Sequence, residues 1–481
     1  MEMMSETFAD LVACEDVLMF VNAAITSTGQ REFHHHSGEQ RLSLEFLHEY
    51  MLANYREMYA AVLALDINDH NAAIIIVNLL VRAGDVGVER RRAEGRLIAR
   101  RLETIPPQRA YRVFRELRRR GVNNRRTRAI IRDWMAARRD PAFDSVKYRA
   151  LVKTAARHAH LRLRGEQRNF LFAPFTVKAF ETPIFEQWRR AHYVQAAVYE
   201  LPYTVAEGFA AAHGIPREVF LERIGPRMTR LERLRAQGSA AKVEAVRADL
   251  REMPLTRLAS YVLSLTLDER AARRAELTEA LRTAARRVAG PARGSWGTVT
   301  AVLDDSYSAL GSGQKRRRPL AVALASHYLL EALAKRYTPL WTSGRTDELL
   351  LYPSGPTPLG TRIIDALETG PERLLIVSDG WDNAPPGLAA DVLRIWRTRL
   401  DPGHRLAPGQ RVMIVHLNPV YDAGDFDVRR LASTVPTAGI RDAEDLPTLV
   451  ELARFAEGRV GLARLRAHLD DRTSRFLGDR S

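Results

Sequence analysis

The feature that most constrains this chain is a change of pattern at GPARGSWG, residues 290–297. Before it, apolar residues recur at three- and four-residue spacing, the mark of amphipathic helices. After it, short apolar runs of strand length alternate with helical stretches. TVTAVLD, YTPLW, RLLIVSDG and RVMIVHLN read as strands. PLAVALASHYLLEALAKR (319–336), TRIIDALE, GLAADVLRIWRTRL and LPTLVELARFAEG (446–458) read as helices. Such alternation predicts a doubly wound, mainly parallel sheet covered on both faces. The expected division is therefore 1–292, all helical, and 297–481, α/β.

The helical part reads as SLEFLHEYMLANYREMYAAVLAL (43–65), 72–82, a helix opened by Pro106 and Pro107 and stopped at Gly121, and NNRRTRAIIRDWMAARRD with Asn123 or Asn124 as N-cap. SVKYRALVKTAARHAHLRLR (145–164) follows, then 184–200, 203–213, 216–235, 240–251, 255–265 and 268–289. Short helices joined by tight turns suggest an irregular α-solenoid of helical pairs.

Ligands of doubly wound sheets bind at the carboxyl ends of strands. One such end carries DDSYS, which delivers Asp304, Ser306 and Ser308. Another carries Asp379, in SDGWDN. The loop SGPTPLGT offers Thr357 and Thr361, and Thr361 is preferred because it directly precedes a helix. Two carboxylates and three hydroxyls form an all-oxygen set of low charge. It suits Mg²⁺ or Mn²⁺ retaining some waters. A cation so weakly neutralised should recruit an acidic side chain or a phosphate from a partner. Asp305 and Tyr307 then shape the loop.

Charge separates the two parts. The net charge is +15. Residues 1–296 hold 49 Lys+Arg against 35 Asp+Glu, and the remainder is nearly balanced. A basic domain beside a neutral one favours a polyanion, and nucleic acid is the one expected. Nine arginines, Arg112, Arg115, Arg118, Arg119, Arg120, Arg125, Arg126, Arg128 and Arg132, flank the turn at Gly121. Lys147, Arg149, Lys153 and Arg157 follow, with Lys153, Arg157 and His160 spaced to share a helix face. The tract His34–His36 reads as loop, since three adjacent histidines do not readily face one ion.

No apolar run, AAIIIVNLLV included, is long enough to span a bilayer, so no membrane partner is expected. The acidic start lacks the basic region and cleavage site of a signal peptide, and Cys14 is the single cysteine. These features point to the cytoplasm. No nucleophile–base pair and no nuclease carboxylate cluster is evident, so a binder rather than an enzyme is expected. A phosphoesterase using Asp304, Asp305 and Asp379 would need more carboxylates.

The DxSxS, Thr and Asp elements over 297–481 resemble the von Willebrand factor A domain with its metal-ion-dependent adhesion site. In that family serines and threonine coordinate metal, and aspartates bind directly or through water. The resemblance gives those roles to Ser306, Ser308, Thr361, Asp304 and Asp379. GVNNRRTRAIIRDWM, YRALVKT (148–154), MPLTRLASYVLSLT and FVNAAITSTGQREFHHHSGEQRLSLE (20–45) resemble segments of the TROVE module of the Ro ribonucleoprotein family. Tyr148 stands where that family has histidine and Ala150 where it has aspartate. Lys147, Arg149 and Lys153 are the basic positions carried over. The resemblance implies HEAT-like helical repeats closing toward a ring. It implies a scaffold for small structured noncoding RNA and for single-stranded RNA ends in RNA quality control, sometimes guiding an exonuclease. The alternative is a protein adaptor whose A domain captures an acidic residue of a partner such as an ATPase.

Overall fold

The computed structural model describes residues 7–34, 36–237, 246, 248–401, 411–450 and 462–478. Helices dominate, and among the described residues the first strand begins at Thr298. Seven strands follow: β1 (Thr298–Leu303), β2 (Arg336–Trp341), β3 (Arg373–Val377), β4 (Met413–Asn418), β5 (Tyr421–Asp422), β6 (Asp427–Val428) and β7 (Thr437–Gly439). The four expected strands are β1 to β4. The short β5–β6 hairpin and β7 carry too few residues to show a period. The expected helix at 446–458 lies outside the described residues from 451 onward, as do most of 240–251.

The main sheet has the order β2-β1-β3-β4-β7, with every pair parallel. Its strands are apolar without alternation because both faces are covered. On one face Val302, Leu374, Ile376 and Ile414 pack with Leu359, Ile363, Ala389 and Leu393, from helices Leu359–Glu368 and Leu388–Ile395. Helix Arg318–Leu333 also packs on β1, β2 and β3. It is buried almost all round, from Pro319 through Leu330. A helix without a polar face needs cover on both sides. Helices Leu255–Ser264 and Arg274–Ala289 supply the second cover.

That requirement redraws the expected division. The chain forms two compact units, one of 1–71 with 250–473, the other of 72–249 with 474–481. GPARGSWG marks where helices give way to strands, but residues on both sides of it belong to the sheet's unit. Helix Phe8–Thr26 joins that unit too, packing on β5, β6 and β7. Asn22 bridges the contact: its Nδ2 donates to Asp427 Oδ1 at 3.0 Å, and its Oδ1 accepts from Gly439 N at 2.9 Å. Gly439 has to be glycine, since a Cβ there would come 2.8 Å from Thr26 Cγ2.

In the other unit, helix Pro107–Arg119 packs on Arg149–His158, and Val88–Thr104 on Arg125–Ala136. Tyr111, Phe114 and Trp134 form one of its aromatic clusters, with Tyr111 and Trp134 edge-to-face at 5.0 Å. Trp134 Nε1 donates to the Leu102 carbonyl at 2.9 Å, so the indole is buried with its polar atom satisfied. The expected helix 145–164 is two helices, Pro141–Lys147 and Arg149–His158, broken at Tyr148. Asp140 caps the first by accepting from Phe143 N at 2.8 Å, with Pro141 in the first turn. The chain leaves the second at Ala159, and His160 takes a left-handed φ of 54°.

Candidate metal centre and basic face

β1 has β2 on one side and β3 on the other, so the order of the sheet reverses at β1. Leu303 pairs with Val377, and Asp304 N donates to the Val377 carbonyl at 3.0 Å. The register therefore brings Asp304 and Asp379 to the same switch point, where such sheets bind ligands. Ser306 N donates to Asp304 Oδ1 at 2.9 Å, which curls the loop. The Ser306 and Ser308 hydroxyls lie 3.3 Å apart. Asp304, Ser306, Ser308 and Asp379 are all buried.

Two buried carboxylates at neighbouring strand ends are electrostatically costly. Burial first, then the charge of Asp379, pushes the Asp304 carboxyl up to about 7. Hydrogen bonds from Ser306 and from Thr342 Oγ1 offset part of that rise. Among the described residues neither aspartate forms an ion pair with Lys or Arg. Cationic charge is what this corner lacks, so the residues present fit a small divalent cation. Among the described residues no three His, Cys, Asp or Glu side chains form a metal cluster by themselves, so the donor set depends on its hydroxyls.

Asp305 plays the loop-shaping part expected of it. Its carboxylate is fully buried and accepts from Thr342 Oγ1, Ser343 N, Ser343 Oγ and Arg345 Nη1, at 2.5 to 3.1 Å. The threonine differs from expectation. Thr361 is exposed in the first turn of Leu359–Glu368, whereas Thr357 is buried in the preceding loop. That loop is joined to the site by its backbone: Tyr307 N donates to Gly355 O, and Ser354 N to Asp305 O. The helix starts two residues earlier than the sequence suggests, which turns Thr361 outward.

One residue the sequence left as plain loop is also at the centre. His34 Nε2 lies 3.4 Å from Asp379 Oδ2. The histidine tract is visible locally, but nothing local shows which ring meets Asp379, because that partner is 345 positions away. His36 precedes helix Ser37–Asn54, and His35 lies outside the described residues.

In the other unit the arginine-flanked turn forms as expected. Gly121 has a φ of 69°, and Val122 N donates back to Leu117 O at 2.9 Å, closing the helix through a left-handed glycine. Asn124 caps the next helix by accepting from Thr127 N at 2.9 Å. Arg118, Gly121, Asn123, Arg157 and His158 line an open depression of about 300 Å³.

The basic residues singled out fall into two groups. Arg115, Arg118, Arg119, Arg120, Arg125 and Arg157 are exposed, Arg119 and Arg120 both pairing with Glu116. Arg126, Arg128, Lys147, Arg149 and Lys153 are half-buried. Arg149 donates to the Phe170 and Leu171 carbonyls and stacks on Trp188 at 5.0 Å. Arg126 donates to the Arg91 carbonyl at 2.7 Å. Lys147 lies 3.8 Å from Glu232. Arg149 and Arg126 hold helices together, which sequence spacing cannot separate from a solvated basic face. Lys153 and Arg157 share a face, as expected, both over the Phe172 ring. His160 lies beyond the helix and contacts Asn123 instead.

Charge follows the units more sharply than it follows the sequence boundary. Residues 72–249 with 474–481 hold 39 Lys+Arg against 19 Asp+Glu, or +20. The sheet's unit holds 34 against 39, or −5. No family model matches the chain, and no curated protein matches it significantly. Among the described residues no helix is long and apolar enough to cross a membrane.

Proposed function

We propose that this protein is a non-enzymatic RNA-binding scaffold of the Ro type. Its helical unit would hold small structured noncoding RNA, and its sheet unit would be a von Willebrand factor A domain with a metal-ion-dependent adhesion site. The observation that carries the RNA reading is the charge of +20 gathered on one compact unit, with exposed arginines around an open depression at the Gly121 turn. Arg118 and Arg157 suit phosphate oxygens, which guanidinium forks bind in bidentate fashion. The exposed group is the RNA-binding set, whereas Arg149 and Arg126 support it from within. Closure of the helical repeats into a ring is the arrangement this reading expects, in the cytoplasm.

The metal reading rests on the switch-point position of Asp304 and Asp379 and on the charge their burial leaves uncompensated. Mg²⁺ or Mn²⁺ would be held by Asp304, Ser306, Ser308 and Asp379, with Thr357 in place of Thr361. The cation would neutralise the two carboxylates and offer a Lewis-acidic position to an outside acid. That supports a second role, as the contact for an exonuclease or another protein partner.

A gel-shift titration of a structured RNA at rising salt tests the first reading. Binding should be tight at low salt and fall steeply. Absent or salt-insensitive binding overturns it. For the second role, Asp304→Ala should abolish capture of a protein partner and leave RNA binding intact.

A further inference from the structure

The segment that leads into helix Ser37–Asn54 comes up against the candidate metal centre and stops there. His34 Nε2 faces Asp379 Oδ2 at 3.4 Å, and its ring packs against Trp381 with 4.8 Å between centroids. Phe33 meets Tyr307 edge-on at 5.8 Å. Both aromatic neighbours sit in the loops that carry the oxygen donors. The segment is fixed just upstream. Arg31 N donates to Gln314 Oε1 at 2.9 Å, and Ser312 Oγ donates to the Arg31 carbonyl at 2.5 Å. Glu32 is buried, is ion-paired with Lys315, and its N–H donates to Gln40 Oε1 at 3.0 Å. A loosely lying loop would not bury an ion pair two residues from its tip, because that costs desolvation of both charges. The backbone leading to His34 is therefore fixed, and the imidazole of this exposed residue is set between Trp381 and Asp379.

We propose that His34 is a nitrogen ligand of the cation at this site, and that the site takes Mn²⁺ in preference to Mg²⁺. This rests on the metal reading above. Donors on neighbouring corners of an octahedron around a small divalent ion stand about 3 Å apart, close to the spacing of the His34 and Asp379 atoms. A single imidazole among hydroxyls and carboxylates changes the selectivity. Mg²⁺ demands oxygen donors and gives up its waters reluctantly, whereas a first-row transition ion accepts the nitrogen. With the five oxygen donors named above, His34 completes six positions around the cation, so an acid from outside would have to displace one of this chain's own ligands.

The test is pulsed electron paramagnetic resonance on the full chain loaded with Mn²⁺. Wild type should show ¹⁴N coupling of a directly bound imidazole, and His34→Gln should lose it. The same substitution should weaken Mn²⁺ binding roughly 10-fold or more while Mg²⁺ binding changes little. Mn²⁺ bound without nitrogen coupling in wild type overturns the inference and leaves the metal reading standing. Absence of Mn²⁺ binding in wild type and Asp304→Asn alike overturns both. A wild-type spectrum without nitrogen coupling decides against the inference even if the variant folds poorly.

Discussion

The two units use charge in opposite ways. The helical unit carries +20 and keeps much of it at the surface, around the Gly121 turn. The sheet unit carries −5 and buries the carboxylates that matter most, at the end of β1 and β3. Exposed like charges act at a distance and are screened by salt. Buried ones act over a few ångströms and are felt as pKa changes and stability. Salt should therefore govern what the first unit does, and protons and cations what the second does.

The largest expected effect tests the first half of that contrast. If about six phosphates are contacted, raising salt from about 50 to 200 mM should weaken RNA binding about 10³-fold. A change under tenfold, read by gel shift, would mean that the charge is not the binding surface.

Next comes the shared core of the sheet unit. Leu329 is fully buried in the helix covered on both sides. Leu329→Ala should cost about 3 kcal/mol in urea unfolding. A loss below about 1 kcal/mol would show that the outer helices do not close on it.

A smaller effect concerns protons. Burial raises the Asp427 carboxyl to about 6, against hydrogen bonds from Val428 N and Asn22. Its folded pKa exceeds its unfolded value, so the folded state holds the proton more tightly. Stability from this group is greatest below the unfolded pKa and is lost as pH rises from about 4 to about 6. Each tenfold gain in proton affinity is worth about 1.4 kcal/mol, so the loss is at most about 3 kcal/mol, and nearer 2 once partial relaxation is allowed. Asp427→Asn should flatten that decline by the same amount. Parallel pH–stability curves for variant and wild type would remove Asp427 from the account.

The smallest effect separates exposed from supporting arginines. Arg118→Ala and Arg157→Ala should each weaken RNA binding several-fold and lower the salt slope by about one contact, without changing thermal stability. Arg149→Ala should instead lower the melting temperature, because the guanidinium joins two carbonyls and two aromatic rings. Equal salt slopes in all three variants would erase the distinction.

Much of this molecule was legible in local pattern. Apolar runs of strand length and the 3.6-residue period marked β1 to β4 and most helices, because they report the faces an element shows to its own neighbours. The D-x-S-x-S loop and Asp379 were legible because strand ends are local as well. The break at Tyr148 was not, since the apolar spacing runs on across it, although Asp140 before Pro141 is a local helix start.

What the sequence determined alone is the set of elements, the excess of arginine and the oxygen donors of one strand end. Tertiary structure decided which elements share a core. Helix Arg318–Leu333 has no polar face, yet its sequence does not say that helices Leu255–Ser264 and Arg274–Ala289 will cover it. It also decided that Thr357 and not Thr361 is buried, that Arg149 joins the Phe170 and Leu171 carbonyls, and that His34 meets Asp379. The physical reason is the same in each case. Periodicity and capping act over a few residues of chain, whereas burial and charge compensation depend on partners up to 345 positions away, which only packing brings together.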